Sequence, residues 1–524
     1  MLWASPAPTE RIRGLVSCCR CCTTPAGGAR SWRILRICHR LRAPPVLRNH
    51  EVASVTAAKG ESDESIPTRL KRWMLFAGPL IAAAVGVWVC SALASSEAGW
   101  TAGVAALCAL WWVTEPIPIP ATSLLPLAAF PLVGVLSPTQ VGESFGSPLV
   151  LLMMGGFMLS TAMTRSGAHR RISLQMVRLC GHSSGRRLVF GFMAASALLS
   201  MWISNTATAI MLLPIALAVA EQTDEKRLAN ALLLGIAYGA SIGGIGTPIG
   251  TPPNLVFMEV YALTTGTEPT FVGWMSWSLP IVAVMVPLAA IWLTRSLGKQ
   301  ANITLPDVGE RRPEEVRTLA VFAVTALLWT TRTGPWGGWS EWVNLPGANE
   351  ASVALLAVWV MCLIPNGKGE KLLDWETAVK IPWGVLILFG SGIAIAKAFT
   401  LSGLSEFIGQ SLSSLMDLPT LLLIVVICLA VTFLTEITSN TATATLLMPI
   451  LAAVATSNQV DPRLLMVPAT ISASFAFMLP VATPPNAIVF GSNRLTIQTM
   501  VREGLLLNLL GAAVVSVLCY WLLG

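Results

Sequence analysis

Ser204-Asn205-Thr206-Ala207-Thr208-Ala209, with Leu212-Leu213-Pro214-Ile215 close behind it, returns 235 residues later as Ser439-Asn440-Thr441-Ala442-Thr443-Ala444 with Leu447-Met448-Pro449-Ile450. Downstream, Gly250-Thr251-Pro252-Pro253-Asn254 is matched by Ala482-Thr483-Pro484-Pro485-Asn486. Upstream, Gly156 and Ser166-Gly167 are matched by Gly392 and Ser402-Gly403. Three blocks in the same order at a nearly constant offset mark an internal duplication, the first thing to establish in a long chain.

Each polar triplet interrupts an apolar stretch, Leu198–Ile215 in one copy and Leu429–Ile450 in the other. Further apolar runs lie at Leu75–Ala94, Ile281–Leu293, Leu319–Leu328, Val353–Ile364 and Leu421–Leu434. The chain has 524 residues, 54% of them hydrophobic and 12% charged, against about 25% charged in a soluble protein. A bilayer crossing takes roughly 20 apolar residues, and only helices or closed barrels satisfy the backbone in lipid. The runs lack the polar/apolar alternation of barrel strands. The expected fold is therefore an all-α polytopic membrane protein.

Each copy reads as about five crossings plus a Gly-rich segment too broken to span, giving about 11 transmembrane helices and two re-entrant hairpins. An odd number of crossings inverts the second copy relative to the first, and inverted repeats with interrupted helices are the architecture of secondary transporters. The expected organisation is an N-terminal extension over residues 1–70, a leading helix and first repeat over 71–300, and a second repeat over 301–524.

The extension differs in composition from the rest. Its first 50 residues hold nine arginines, no lysine, one acid (Glu10) and the cluster Cys18, Cys19, Cys21, Cys22. Arg-rich, acid-poor composition fits an organellar transit peptide; a disordered cytoplasmic tail fits it equally. Both a plasma membrane and an organellar membrane are thus open as the location. Six arginines and no acid lie between Arg165 and Arg187, and Arg295, Lys299, Arg311, Arg312 and Arg317 mark a second basic loop. The positive-inside bias places both loops on the cytoplasmic side. They read as topology markers rather than as a nucleic-acid surface, which would interleave them with exposed aromatics.

The triplets carry the chemistry. Ser, Asn and Thr compete locally with backbone hydrogen bonding and favour helix N-caps, and Ala207–Leu217 reads as helical, so each triplet is expected at the tip where a half-helix begins. Free N–H groups and the positive end of the helix dipole then face inward, a geometry that receives a carboxylate without an arginine. Asn205 and Asn440 donate from their amides, Thr206 and Thr441 from their hydroxyls. Two such tips suit two carboxylates. In the Thr-Pro-Pro-Asn segments the prolines break helical bonding and free backbone carbonyls. Carbonyl, hydroxyl and amide oxygens suit a hard cation such as sodium. A cation between each triplet and its Thr-Pro-Pro segment would offset the cost of holding a dianion away from water.

One Ser-Asn-Thr in a membrane helix is ordinarily helix–helix glue; its duplication beside a duplicated helix breaker favours a site. Glu436, between Thr435 and Thr438, has no acidic counterpart in the first copy, where Met201 or Trp202 stands. An intramembrane acid is a functional candidate by default; here a structural brace is favoured over a coupling role. Glu115 is expected at an interface beside Trp111 and Trp112, and Lys397 is expected to snorkel from a hairpin.

On both Ser-Asn-Thr-Ala-Thr and both Thr-Pro-Pro-Asn motifs, with Trp111-Trp112-Val113-Thr114-Glu115 and the basic loop after Gly167, the chain from about Lys71 onward resembles the divalent anion–sodium symporter family, whose substrates include succinate, malate, citrate and sulfate. The resemblance implies a homodimer, a scaffold domain gripping its twin, and a transport domain that slides like an elevator and carries re-entrant hairpins near Ser147–Thr164 and Trp383–Thr400. It implies a first sodium site at Ser200, Ser204, Asn205 and Gly250, and a second at Thr435, Thr438, Asn440 and Ala482. Substrate carboxylates would meet Asn205, Thr206, Asn440 and Thr441, with Thr251, Pro252, Thr483 and Pro484 nearby. The family's second site often has a small residue where this chain has Thr438, a difference that a backbone carbonyl ligand survives. The N-terminal extension lies outside the family pattern.

The plastid exchangers of the wider family lack the paired triplets. Their presence therefore favours sodium-coupled symport of di- and tricarboxylates (succinate, malate, fumarate, and citrate as an extension) over a sodium-independent exchanger or a sulfate carrier. Sodium is then a co-transported ion, and the remaining partners are the carboxylate anion and membrane lipid. An intramembrane metalloprotease would need His-Glu-x-x-His, which His39, His50, His169 and His182 do not form. A Gly-x-Ser-x-Gly elbow with a histidine partner is missing too.

Overall fold

The computed structural model describes residues 68–181, 184–222, 225–297, 309–334, 337–413 and 417–524. The expectations for the N-terminal extension and its cysteine cluster fall on residues 1–67, outside the described residues. Among the described residues the chain is helical throughout, its only β feature an isolated antiparallel bridge between Pro365 and Lys371.

Six helices are long and apolar enough to cross a membrane: Arg69–Leu93, Pro138–Ser166, Phe271–Thr294, Trp383–Leu401, Asn440–Ser457 and Ile497–Leu523. Shorter apolar helices lie between them, Asn205–Ala220 and Thr420–Thr435 included. The duplication is visible in the element order. Gly185–Ser200 and Asn205–Ala220 form a helix–turn–helix whose bend holds the first triplet. Thr420–Thr435 and Asn440–Ser457 do the same for the second. An arm of 16 residues is about 24 Å long at 1.5 Å per residue, short of the roughly 30 Å hydrocarbon core. Neither arm is therefore long enough to cross on its own.

After each helix–turn–helix comes a second break. Lys226–Gly244 stops and the chain restarts as Pro252–Thr265; Arg463–Ser472 stops and the chain restarts as Pro484–Phe490. Each restart has proline in its first turn, where the missing N–H costs nothing, and threonine as the cap, Thr251 or Thr483.

The hairpins are not where the family resemblance put them. Pro148–Ser166 and Trp383–Leu401 are each one unbroken helix. Their glycines serve close helix approach instead of a bend. A Cβ on Gly155 would lie 2.8 Å from the Ala354 Cβ, and one on Gly390 would lie 2.9 Å from the Phe145 ring. Lys397 sits within the second of these helices and pairs with Glu143 at 3.5 Å, so it does not snorkel from a hairpin.

The main core draws on both copies. Phe192, Tyr238, Phe257 and Trp274 from the first half are fully buried with Phe389, Phe475 and Phe477 from the second. Tyr238 and Phe477 meet edge to face at 5.0 Å between ring centroids, and the Tyr238 hydroxyl donates to the Phe477 carbonyl. That contact ties the helix before the first break to the linker of the second.

The two basic loops are partly neutralised. Arg165 pairs with Glu370 and Asp374, and Arg171 pairs with Glu315 at 2.5 Å. Arg317 lies inside the helix Pro313–Thr330 rather than in a loop.

Candidate functional site: two broken-helix cradles

At the first bend Ser204 caps the helix Asn205–Ala220, its Oγ accepting from the Ala207 N–H at 3.2 Å. One turn earlier, at the end of the other arm, Ser200 donates to Asn205 Oδ1 at 2.5 Å. The Asn205 carboxamide presses on the end of the next broken helix: a Cβ on Gly244 would lie 2.6 Å from Asn205 Oδ1. A Cβ on Gly250 would lie 2.4 Å from the Gly244 carbonyl oxygen and 2.9 Å from that of Ser200. Only glycine lets these carbonyls approach so closely. Ser200, Asn205, Gly244 and Gly250 thus converge, with backbone and side-chain oxygens in close approach.

The second bend repeats this with different residues. Thr435, five residues before Asn440 as Ser200 is before Asn205, places its hydroxyl 2.7 Å from Asn440 Oδ1 and 2.9 Å from the Ala473 carbonyl. A hydroxyl has a single hydrogen to give, so it donates to one of these two oxygens at a time. Thr438 donates to the Leu434 carbonyl at 2.9 Å and contacts the Thr443 hydroxyl at 2.6 Å. Its side chain is engaged within the bend. Ser439 caps by position without a side-chain bond, unlike Ser204.

Burial separates the tips from their supports. Ser200, Thr251, Thr435, Ala482 and Thr483 are buried, whereas Ser204, Asn205, Thr206, Asn440 and Thr441 remain half-buried. Pro252 is half-buried and Pro484 exposed. The triplets therefore keep polar surface free at helix N-termini, the positive ends of their dipoles.

The two copies interlock. The helix from the first bend, Asn205–Ala220, packs on the restart helix of the second copy, Pro484–Phe490. The helix from the second bend, Asn440–Ser457, packs on Pro252–Thr265 of the first. Each triplet helix is thus paired with the Thr-Pro-Pro helix of the other copy as well as with its own break.

Sequence reasoning did not single out the two asparagines that end the Thr-Pro-Pro-Asn motifs. Asn254 donates through Nδ2 to the carbonyls of Gly244 and Thr247, at 3.0 and 2.7 Å. Asn486 donates to those of Ala476 and Leu479, at 3.0 and 3.0 Å. In both cases the acceptors lie ten and seven residues upstream, so each asparagine clasps the broken linker in the same way. Both are fully buried. The signal available in sequence was the recurrence of asparagine after each proline pair.

Glu436 is the brace expected of it. It accepts from the N–H groups of Met478 and Leu479, at 2.9 Å each, and from Asn508 Nδ2 at 2.7 Å. Asn508 in turn accepts from the Phe477 N–H at 3.1 Å. In the first copy Met201 occupies the position of Glu436, and its carbonyl accepts from Thr247. The same junction is closed by a carboxylate in one copy and a backbone oxygen in the other. Asn508, in the middle of the apolar last helix, was the polar outlier that could have revealed this network.

Known proteins place these features. Residues 109–467 match the citrate transporter family. The chain is 40% identical over 439 residues to the sodium-dependent dicarboxylate transporter SdcS of Staphylococcus saprophyticus, covering 79% of this chain and 84% of that protein. It is 38% identical over 443 residues to the transporter of the same name from Staphylococcus aureus strain MRSA252, with the same coverage of both. Among solved structures, the YdaH transporter of Alcanivorax borkumensis superposes with a TM-score of 0.53 at 16% identity, over 75% of this chain and 87% of that one. MtrF of Neisseria gonorrhoeae gives 0.53 at 17% identity, over 75% and 85%. At that identity the structural likeness establishes the fold alone.

Proposed function

This chain belongs to the citrate transporter family of integral membrane carriers, and we propose that it couples sodium entry to the symport of dicarboxylate anions such as succinate, malate and fumarate. The observation that carries this reading is the pair of interlocked cradles, each a half-buried Ser-Asn-Thr tip backed by converging oxygens. The donors that the triplets offer a dianion are neutral amides and hydroxyls. Its charge must be balanced by something that travels with it, because an isolated buried charge is strongly disfavoured.

In the proposed mechanism one sodium ion lies among Ser200, Ser204, Asn205 and Gly250, and a second among Thr435, Thr438, Asn440 and Ala482. The anion's carboxylates rest on Asn205, Thr206, Asn440 and Thr441, with Thr251, Pro252, Thr483 and Pro484 forming the adjacent wall. The cations add positive charge behind each helix N-terminus and so raise the affinity for the anion. By linkage the anion raises the affinity for sodium by the same factor. Release on the far side follows when sodium dilutes.

The proposal extends to a homodimer of inverted-repeat protomers in which the cradles move as one body. Support for an interface or lipid face comes from the first helix, where Trp73, Phe76, Leu80 and Trp88 are all more than 60% exposed.

Uptake of labelled succinate, citrate and sulfate into proteoliposomes, with and without an inward sodium gradient, tests the assignment. Succinate is expected to accumulate only with the gradient, and sulfate not at all. Citrate uptake above that of succinate would favour a tricarboxylate carrier. Equal succinate uptake without sodium would contradict symport.

A further inference from the structure

Beyond the ion pairs of Arg165 and Arg171, three arginines of the two basic loops meet in one place. Arg186, Arg187 and Arg295 line one end of a groove of about 430 Å³ between the start of Gly185–Ser200 and the C-terminal half of Phe271–Thr294. Phe190, Pro287 and Ile291 line the rest. Arg295 is already balanced: it makes two hydrogen bonds to Glu503, at 2.7 and 3.0 Å, and stacks 3.5 Å above the Trp292 ring. Arg186 and Arg187 are exposed and, among the described residues, have no acidic partner.

Their position on the helix is unfavourable. They occupy its first turn, which contains no acid, and Ser184 supplies no side-chain cap. The first helical hydrogen bond runs from Leu188 to Ser184, so the amides of Gly185, Arg186 and Arg187 precede it. Two cations beside unpaired amides at the positive end of a helix oppose the dipole. An anion seated there satisfies all of these groups at once.

We propose that this groove binds an anionic phospholipid, its phosphate held by Arg186, Arg187 and the helix N-terminus and its acyl chain lying along Phe190, Ile291 and Pro287. Pro287 lies seven residues before Thr294 on the same helix, which is about 10 Å at the helical rise. The groove is therefore cationic at its loop end and apolar for about 10 Å below. Ile291, on the apolar part, is 66% exposed. A membrane-embedded groove with this polarity matches a lipid, and clustered arginines at the cytoplasmic end select negative headgroups. The helix so anchored ends at Ser200, within the first cradle.

Thermal unfolding of the detergent-purified full chain, titrated with phosphatidylglycerol, phosphatidylcholine or glycerol 3-phosphate, tests this. Phosphatidylglycerol is expected to raise the unfolding temperature more than phosphatidylcholine does, and glycerol 3-phosphate to leave it unchanged. In Arg186→Gln/Arg187→Gln the half-effective phosphatidylglycerol concentration is expected to rise about tenfold or more. Arg186→Lys/Arg187→Lys is expected to stay near wild type. An unchanged phosphatidylglycerol response in the glutamine variant would overturn the proposal, as would an equal response to phosphatidylcholine. A glycerol 3-phosphate response equal to that of the lipid would overturn the lipid assignment and leave a soluble phosphate ester.

Discussion

Asn205→Ala and Asn440→Ala are each expected to reduce sodium-driven succinate uptake by about 100-fold or more, with the protein still folded in the membrane. Each asparagine stands at a helix N-terminus, takes a hydroxyl donor from the other arm of its bend and keeps its amide half-buried. Alanine removes the amide donor toward the anion and the Oδ1 ligand toward the cation together. Neither change removes a core side chain, so elution as a single folded species from a sizing column separates lost transport from lost structure. Wild-type uptake by both variants would remove the triplets from the site.

Gly250→Ala is the second large effect, and it acts on sodium first. The added methyl would sit 2.4 Å from the Gly244 carbonyl oxygen and 2.9 Å from that of Ser200. Both are backbone atoms and cannot swing aside. The carbonyls must separate, and in the proposed function their convergence offers a cation its ligands. The sodium concentration for half-maximal uptake is expected to rise on the order of tenfold or more, a loss of about 1.4 kcal/mol or more. The succinate concentration dependence should recover toward wild type at saturating sodium. A variant with unchanged sodium dependence would show that the break at Gly250 is not a cation ligand set.

Much of this was legible in the chain because the signals are local. Ser204 and Ser439 mark helix starts by residue type, and the helices begin at Asn205 and Asn440. The proline pairs at Pro252 and Pro484 fix the restarts in the same way. What failed were features decided by packing. The glycines at Gly155 and Gly390 look like helix breakers in sequence, but they let Ala354 and Phe145 approach unbroken helices. The bends fall instead at the triplets, where polar caps compete with the helix. The clasps made by Asn254 and Asn486 were also hidden. They bond to carbonyls ten and seven residues upstream, which only the folded linker brings into reach. Glu436 was readable as a brace because an intramembrane acid without a repeat partner is not required by a twofold mechanism.

The proposed function depends on neutral donors needing cations before they can hold a dianion. Calorimetric titration of succinate into the purified protein, in sodium chloride and in choline chloride at equal ionic strength, measures that dependence without transport. Saturable binding that tightens as sodium rises, and disappears in choline, is the predicted result. The same dissociation constant in both salts would contradict it.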